Sequence, residues 1–261
     1  MFESDRDDRA CVRIQQEVWG RDFADVVPAS MLKISRQIGG VSAGAFDGSG
    51  RLLGFVFGMT GLENGRLVHW SHMLAVLPEA RNREIGRRLK AFQRSYLEAL
   101  GVERIYWTFD PLVARNAHLN LTRLGASVVE YVADMYGPTG SALHALGTDR
   151  LVVSWPVRTE ATPDRPAAGP AEWQADVPVV NPVEPAGAPA REWLLAPVVG
   201  IEVPPDIDAM IEDDLALAQQ WRVATRHAFL GYLERGYRVV AFRREAARCF
   251  YVLAAAVSEG A

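Results

Sequence analysis

Met73-Leu74-Ala75-Val76-Leu77-Pro78-Glu79-Ala80-Arg81-Asn82-Arg83-Glu84-Ile85-Gly86-Arg87-Arg88-Leu89-Lys90 is an apolar strand that passes through a proline into an arginine-rich turn, and the turn opens a long helix. Backbone N–H groups lack partners at a helix N-terminus and the helix dipole is positive there, so such a turn is suited to an anion. Six basic residues (Arg81, Arg83, Arg87, Arg88, Lys90 and Arg94) fall within fourteen positions, against one acid, Glu84. The chain as a whole carries a formal charge of −4, so the excess is local. The turn points to a phosphate-bearing cofactor; the alternative is a solvated helix face. Ile85, Leu89, Phe92, Tyr96, Leu97 and Leu100 recur at three- and four-residue intervals and predict one apolar stripe, with Gly101 as the stop. Arg87, Arg88, Lys90 and Arg94 lie outside that stripe, and most of them are expected to stay hydrated.

Outward from this helix the pattern alternates. Upstream, Arg9–Val18 and Pro28–Ile38 read as helices, the second with a proline at its first position and Gly39-Gly40 at its end. Val41–Asp47 and Arg51–Thr60 flank Asp47-Gly48-Ser49-Gly50 as a hairpin, and Leu67–Val76 follows as the next strand. Downstream, Arg104–Asp110 reads as a strand stopped by Pro111, Asn116–Leu124 as a short helix closed by Gly125, and Ser127–Val132 and Leu151–Trp155 as two more strands. This order predicts a mixed α/β sheet with flanking helices.

Composition changes after Trp155. Nine of the fifteen prolines lie between Pro156 and Pro197, marking an extended linker or a surface strap over 157–196. The expected domains are 1–156, that linker, and a small α+β extension over 197–261. In the extension, Val198–Val203, Tyr237–Phe242 and Phe250–Ala254 read as strands around a helical stretch, Ile207–Glu234. Arg222 and Arg226, four apart, share a face there and are expected to form surface ion pairs or to bind a carboxylate.

Composition also excludes classes. Charged residues at 23% and apolar ones at 49% are ordinary for a globular protein, and the acidic balance argues against nonspecific nucleic-acid binding. The acidic start, Glu3-Ser4-Asp5-Arg6-Asp7-Asp8, does not read as a signal or transit peptide. The longest apolar run, Cys249–Val257, is too short to span a membrane. Cys11 and Cys249 are distant singletons, which predicts free thiols and neither a disulfide framework nor a metal site. A cytoplasmic protein with no metal, no membrane partner and no nucleic-acid partner is the expectation.

The element order, together with the arginine-rich turn, resembles the GNAT acyltransferase superfamily over roughly residues 10–156. Arg81-Asn82-Arg83-Glu84-Ile85-Gly86 stands where the superfamily carries R-x-x-G-x-G/A, Leu74-Ala75-Val76 matches the preceding strand, and Asn116 with Leu124-Gly125-Ala126 matches the later helix. Trp107-Thr108-Phe109-Asp110-Pro111-Leu112, Arg115-Asn116-Ala117 and Thr148-Asp149-Arg150 look like a bacterial subgroup of predicted acetyltransferases. The fold implied is a GNAT-like mixed sheet with flanking helices. The activity implied is transfer of an acetyl or larger acyl group, such as succinyl, from acetyl-CoA or another acyl-CoA to a small amine such as an amino acid. A non-catalytic module holding CoA or another anion is the alternative, and a homodimer is left open.

The resemblance also implies roles. Leu74, Ala75 and Val76 would pair with the pantetheine arm along a splayed strand edge, and the turn over Arg81, Asn82, Arg83, Glu84, Ile85, Gly86 and Arg87 would hold the pyrophosphate. Glu84 replaces the first glycine of the pattern. Asn116 is either a cofactor contact or a turn residue at a helix start. His72 stands where the similar arylalkylamine N-acetyltransferase has a histidine that helps remove the amine proton, a task suited to an imidazole; otherwise it is a hydrogen-bonded core residue. The superfamily's usual tyrosine acid falls at Leu121, leaving Tyr131 and Tyr136 as substitutes or as core residues. Asp110, by its own place at the carboxyl end of a strand, where α/β sheets bind ligands, would hold a substrate ammonium or serve as the turn residue before Pro111. The segment ahead of Arg9 is too short for the superfamily's usual first strand, so a strand of the C-terminal extension is expected to complete the sheet or to pack across a dimer.

Overall fold

The computed structural model describes residues 1–21, 23–137, 145–158, 177–183, 193–245 and 247–256. Helices α1 (Asp5–Trp19) and α2 (Ala29–Gln37) precede a meander of β1 (Val41–Phe46), β2 (Leu52–Glu63) and β3 (Arg66–Val76). A 3-10 turn, Pro78–Ala80, leads to α3 (Ile85–Ala99) and β4 (Arg104–Phe109). Helix α4 (Ala114–Ala117) continues as a π-helical segment, His118–Arg123, before β5 (Ser127–Val132) and β6 (Arg150–Pro156). Then come β7 (Val198–Val203), α5 (Ile207–Asp213), α6 (Leu215–Glu234), β8 (Tyr237–Glu245) and β9 (Arg248–Ala255).

Six strands form one mixed sheet in the order β1-β2-β3-β4-β6-β5, and three form a second in the order β7-β9-β8. The fold class is therefore the expected mixed α/β sheet with a smaller α+β region after it. The C-terminal strands pair only with one another in these sheets, so none of them completes the larger sheet. The short N-terminal stretch starts a helix and not a strand. Ser4 Oγ accepts from the Asp7 amide while the Asp7 carboxylate accepts from the Ser4 amide. That capping box starts α1 at Asp5, four residues before the apolar pattern alone suggests.

The described residues cluster into two compact units. The first is Met1–Trp107 with 145 and 154–158; the second is 108–137, 146–153 and the described residues from 177 onward. In the first unit α1 and α2 cover one face of the meander and α3 the other: Phe55 meets Trp19 of α1, whereas a Cβ on neighbouring Gly54 would touch Ile85 of α3. Phe55, Val56, Phe57, Leu97 and Ile105 are fully buried between these layers. In the second unit α6 packs on the three-stranded sheet, with Phe229 against Tyr251 of β9 and Tyr232 against Tyr237 of β8. Residues 177–183, within the proline-rich stretch, run beside β7: Val179 bridges Gly200, and Asn181 exchanges two hydrogen bonds with the Glu202 backbone. Residues 159–176 and 184–192 of that stretch lie outside the described residues.

Candidate active site

The site is built on the third strand. β3 pairs antiparallel with β2 along its whole length, but with parallel β4 only at Val68–Arg104, His69–Ile105 and Trp70–Tyr106. Beyond that rung, the β3 edge from Ser71 to Val76 has no strand partner on the β4 side among the described residues. Leu74, Ala75 and Val76 lie on this open edge. The strand also carries an extra residue: Phe57 opposes Met73 and Gly58 opposes Ser71, which leaves His72 as a β-bulge. A bulge breaks the two-residue alternation and re-aims the side chain at that point. Ser71 and, past the bulge, Leu74 both turn toward α3, as the Ser71–Lys90 hydrogen bond and the approach of Leu74 to Gly86 record. His72 itself is exposed, its ring edge-on to Phe57 at 6.1 Å. Partial desolvation lowers its pKa below the usual 6.5, with Asp25 pulling weakly the other way.

The open edge leads into the arginine-rich turn. Arg81, Asn82, Arg83 and Glu84 are exposed, so the bend is accessible. The Arg81 amide bonds to Pro78 O, but among the described residues the amides of Asn82, Arg83, Ile85, Gly86 and Arg87 have no backbone acceptor. Arg81, Arg83 and Arg88 form no ion pair among the described residues, and Gly86 leaves room above Leu74 and Val76. These features fit a diphosphate. Glu84 is the departure. It stands in the first glycine's position and adopts φ 57°, a left-handed conformation that glycine tolerates best. Its carboxylate binds Arg87 at 2.8 Å, so the acid and one arginine of the turn neutralise each other. A cavity of about 440 Å³ lies beside the turn, walled by Gly44, Phe46, Arg83, Ile85, Arg88 and Phe92 among others. None of its walls comes from β3 or β4, so it is separate from the open edge.

Helix α3 turns a polar row inward. Its buried positions are Ile85, Leu89, Lys90, Gln93 and Leu97, whereas Phe92 and Leu100, expected in the apolar stripe, are exposed. Lys90 and Gln93 answer polar groups on β3 that an apolar-only reading of the helix overlooks. Lys90 is only 4% exposed; its Nζ bonds Ser71 Oγ at 2.7 Å and sits 3.9 Å from the centre of the Trp107 ring. No carboxylate pairs with it among the described residues, and burial lowers its pKa from 10.5 to about 7. Deeper still, His69 is fully buried. The Thr60 hydroxyl donates to Gly39 O and so accepts from His69 Nδ1–H, which leaves His69 Nε2 to accept from the Gln93 amide at 3.1 Å. Burial, reinforced by the Lys90 charge, pushes the His69 pKa down to about 3 and keeps the ring neutral. Arg94, another residue expected to stay hydrated, donates to Val157 O and stacks over Trp155.

The remaining expected site residues belong to the second unit. Asp110 accepts from Arg222 at 2.6 Å and from the Leu112 amide at 2.8 Å, with Arg150 at 3.8 Å. Its carboxylate is thus already matched, and the bond to Leu112 is that of a turn residue ahead of a helix. Tyr136 is exposed, hydrogen-bonded to Thr108 Oγ1, and lies under the Arg150 guanidinium. Tyr131 is a core residue: it stacks on Phe229 and donates to Asp149, and burial followed by that bond raises its pKa. Asn116 is half-buried in α4, where its amide closes a turn onto Val113 O. Arg222 and Arg226 both bind carboxylates, and the Arg226–Asp134 pair lies at the surface. Arg222 is buried beside Asp110 and Asp149, and Arg226 holds Asp149 and Asp134. The Thr148-Asp149-Arg150 segment thus supplies the centre of a buried charge network in this unit.

No helix among the described residues is long and apolar enough to cross a membrane. No family model matches the sequence, and no curated protein matches it. Solved structures do. The ribosomal-protein-S18-alanine N-acetyltransferase from Escherichia coli matches at 16% identity and a TM-score of 0.48, over 63% of this chain and 96% of its own. An aminoglycoside 6'-acetyltransferase type Ii matches at 16% identity and 0.49, over 61% and 97%. An aminoglycoside 6'-N-acetyltransferase complexed with coenzyme A matches at 13% identity and 0.45, over 59% and 93%. The six-stranded mixed sheet with flanking helices, and the strand edge left open ahead of the arginine-rich turn, are the arrangement that the resemblance to the GNAT superfamily implies.

Proposed function

We propose that this protein is an acyl-CoA-dependent N-acyltransferase that acylates a small amine. The observation that carries the reading is the turn from Arg81 to Arg87. Among the described residues, an exposed bend whose amides have no backbone acceptor, with Arg81, Arg83 and Arg88 outside any ion pair, opens α3 directly beside a strand edge that has no strand partner. Amides of that kind are good ligands for a diphosphate, and the edge from Ser71 to Val76 offers backbone partners to an extended amide-bearing arm. Acyl-CoA, when bound, supplies an activated thioester. The turn anchors its diphosphate, the strand edge orients its arm, and holding donor and acceptor together lowers the barrier through proximity. His72, accessible on its bulge and lowered in pKa, accepts the proton that the amine sheds on attack.

His72→Ala is expected to lower kcat by about ten- to a hundredfold while calorimetric binding of coenzyme A persists. The acid limb of the pH–rate profile, which in the parent rises as His72 loses its proton below pH 6.5, should vanish in the variant. An unchanged limb would remove His72 from the mechanism. The broader test follows thiol release from acetyl-CoA and succinyl-CoA across a panel of amino acids and other small amines, beside calorimetric binding. Release with one amine identifies the acceptor class. A second reading, a module that holds coenzyme A without transfer, draws on Leu121 at the usual acid position and on the Glu84–Arg87 pair. Binding with no release under any amine selects it.

A further inference from the structure

The last rung of the β3–β4 ladder is Trp70 with Tyr106, and the next residue on each strand, Ser71 and Trp107, is a contact of Lys90 Nζ. Lys90 thus marks the point where the strands part. It is a nine-tenths-buried cation with no ion-pair partner among the described residues. The charged and titratable groups around it do not supply one. On β3 stands His69, neutral and bonded to Gln93 and Thr60; on α3 itself stand Arg87, paired with Glu84, and Arg94, stacked over Trp155; β4 presents the Trp107 ring. The ring face favours the ammonium form and burial disfavours it, so the amine holds and releases a proton near neutral pH. A packing role alone is better served by leucine or methionine, which need no solvation.

We propose that Ser71 and Lys90 form the proton-delivering pair for the departing thiolate, in place of the tyrosine that Leu121 lacks; this rests on the transferase reading above. As the amine nitrogen bonds to the acyl carbon and the C–S bond breaks, Ser71 Oγ passes its proton to the sulfur. Lys90 Nζ passes one of its own to Ser71 Oγ, and the neutral Lys90 regains a proton from solvent before the next turnover. His72 returns the amine's proton to solvent, so the cycle balances with amide and free thiol as products. The direction is downhill: an ordinary thiol has a pKa of about 8.5, and Lys90 at about 7 is the stronger acid. A lysine at its usual 10.5 is the weaker one. Lys90 is the positioning and recharging residue, and Ser71 is the group that meets the sulfur.

The decisive comparison uses acetyl-CoA and its selenoester analogue, whose selenolate is a far weaker base and leaves without a proton. With acetyl-CoA, Lys90→Met and Ser71→Ala should each lower kcat by roughly a hundredfold, with KM for the donor within about threefold of the parent. With the selenoester both variants should recover to within about threefold of the parent. The parent's kcat with acetyl-CoA should fall above pH 7 as Lys90 loses its proton, and that limb should be absent with the selenoester. Equal losses on both donors, or no loss with acetyl-CoA, overturn the assignment and leave the transferase reading standing. Coenzyme A binding without thiol release in the parent, under every amine, overturns both. Should Lys90→Met not fold, the smaller Ser71→Ala change carries the same comparison.

Discussion

The two units bury charge in opposite ways. In the second, Asp149 is fully buried and is met by Arg226, by the Tyr131 hydroxyl, by the Asp134 amide and by the nearby Arg222. In the first, Lys90 is equally withdrawn from water and meets a serine hydroxyl and an indole face. The first unit does pair charge elsewhere, since buried Asp8 is bound by Arg36. Of the four buried charged side chains described (Asp8, Lys90, Asp149 and Arg222), Lys90 alone lacks an ion-pair partner among the described residues. A buried charge that is paired holds a fold in one arrangement, whereas an unpaired one costs stability wherever it sits. Costs of that kind persist where chemistry needs them, and Lys90 stands where β3 and β4 part.

The largest expected effect comes from breaking the paired network. Asp149→Asn leaves Arg226 and Arg222 without their shared carboxylate and should cost about 3–5 kcal/mol of stability, read from urea unfolding. Burial by itself would raise the Asp149 pKa, but Arg226, Tyr131, the Asp134 amide and Arg222 together lower it. A carboxyl lowered on folding stabilises above its unfolded pKa of 3.8, and that contribution is lost as pH falls through the folded value. The parent should therefore lose stability on acidification in a limb that the Asn variant lacks. A cost below about 1 kcal/mol would reduce the network to a surface pair and dissolve the contrast.

The opposite sign is expected at Lys90. Its folded pKa of about 7 lies below the unfolded 10.5. Between those values the unfolded chain holds a proton that the folded chain has released, so stability rises with pH across this window. The slope approaches about 1.4 kcal/mol per pH unit. Lys90→Met should gain about 2 kcal/mol at pH 7 and flatten the rise between pH 7 and 9. The same substitution that stabilises should slow transfer. A variant that is both less stable and pH-dependent like the parent would place a hidden partner beside the amine.

What could be read from the chain divides along the same line. The strands after Pro111 and in the C-terminal region fall where β-branched and aromatic runs put them; Ser127–Val132 and Val198–Val203 match residue for residue. The turn at Arg81 was legible because its charge is dense in sequence and stays exposed. Lys90 was not: helix periodicity counts apolar residues, so a lysine facing inward looks like one more hydrated cation. Gln93 was hidden in the same way and His69 by its place on an apolar strand, although the two hydrogen-bond each other in the first unit's interior. Arg222 and Arg226 show the complementary failure. Their spacing marks a shared face, but their partners Asp110, Asp134 and Asp149 are more than seventy residues away in the chain. Pairing at such separation leaves no local signature.

The smallest effect sharpens the contrast from outside, where charge is neither buried nor structural. Glu84→Gly removes a left-handed non-glycine residue, a relief of about 1 kcal/mol. It also adds about 0.7 kcal/mol of backbone entropy to be lost on folding and deletes an exposed, solvent-screened pair to Arg87. These contributions cancel, so the unfolding free energy should stay within about 0.5 kcal/mol of the parent. Affinity should not stay. Losing one carboxylate beside the turn and releasing Arg87 at the first turn of α3 should tighten the Kd for coenzyme A about three- to fivefold. The gain should shrink in high salt, because both groups are half-exposed and screened. Calorimetry at low and high ionic strength reads it directly. A variant with altered stability and unaltered affinity would mean that the diphosphate does not sit on this turn, and the contrast would then concern folding alone.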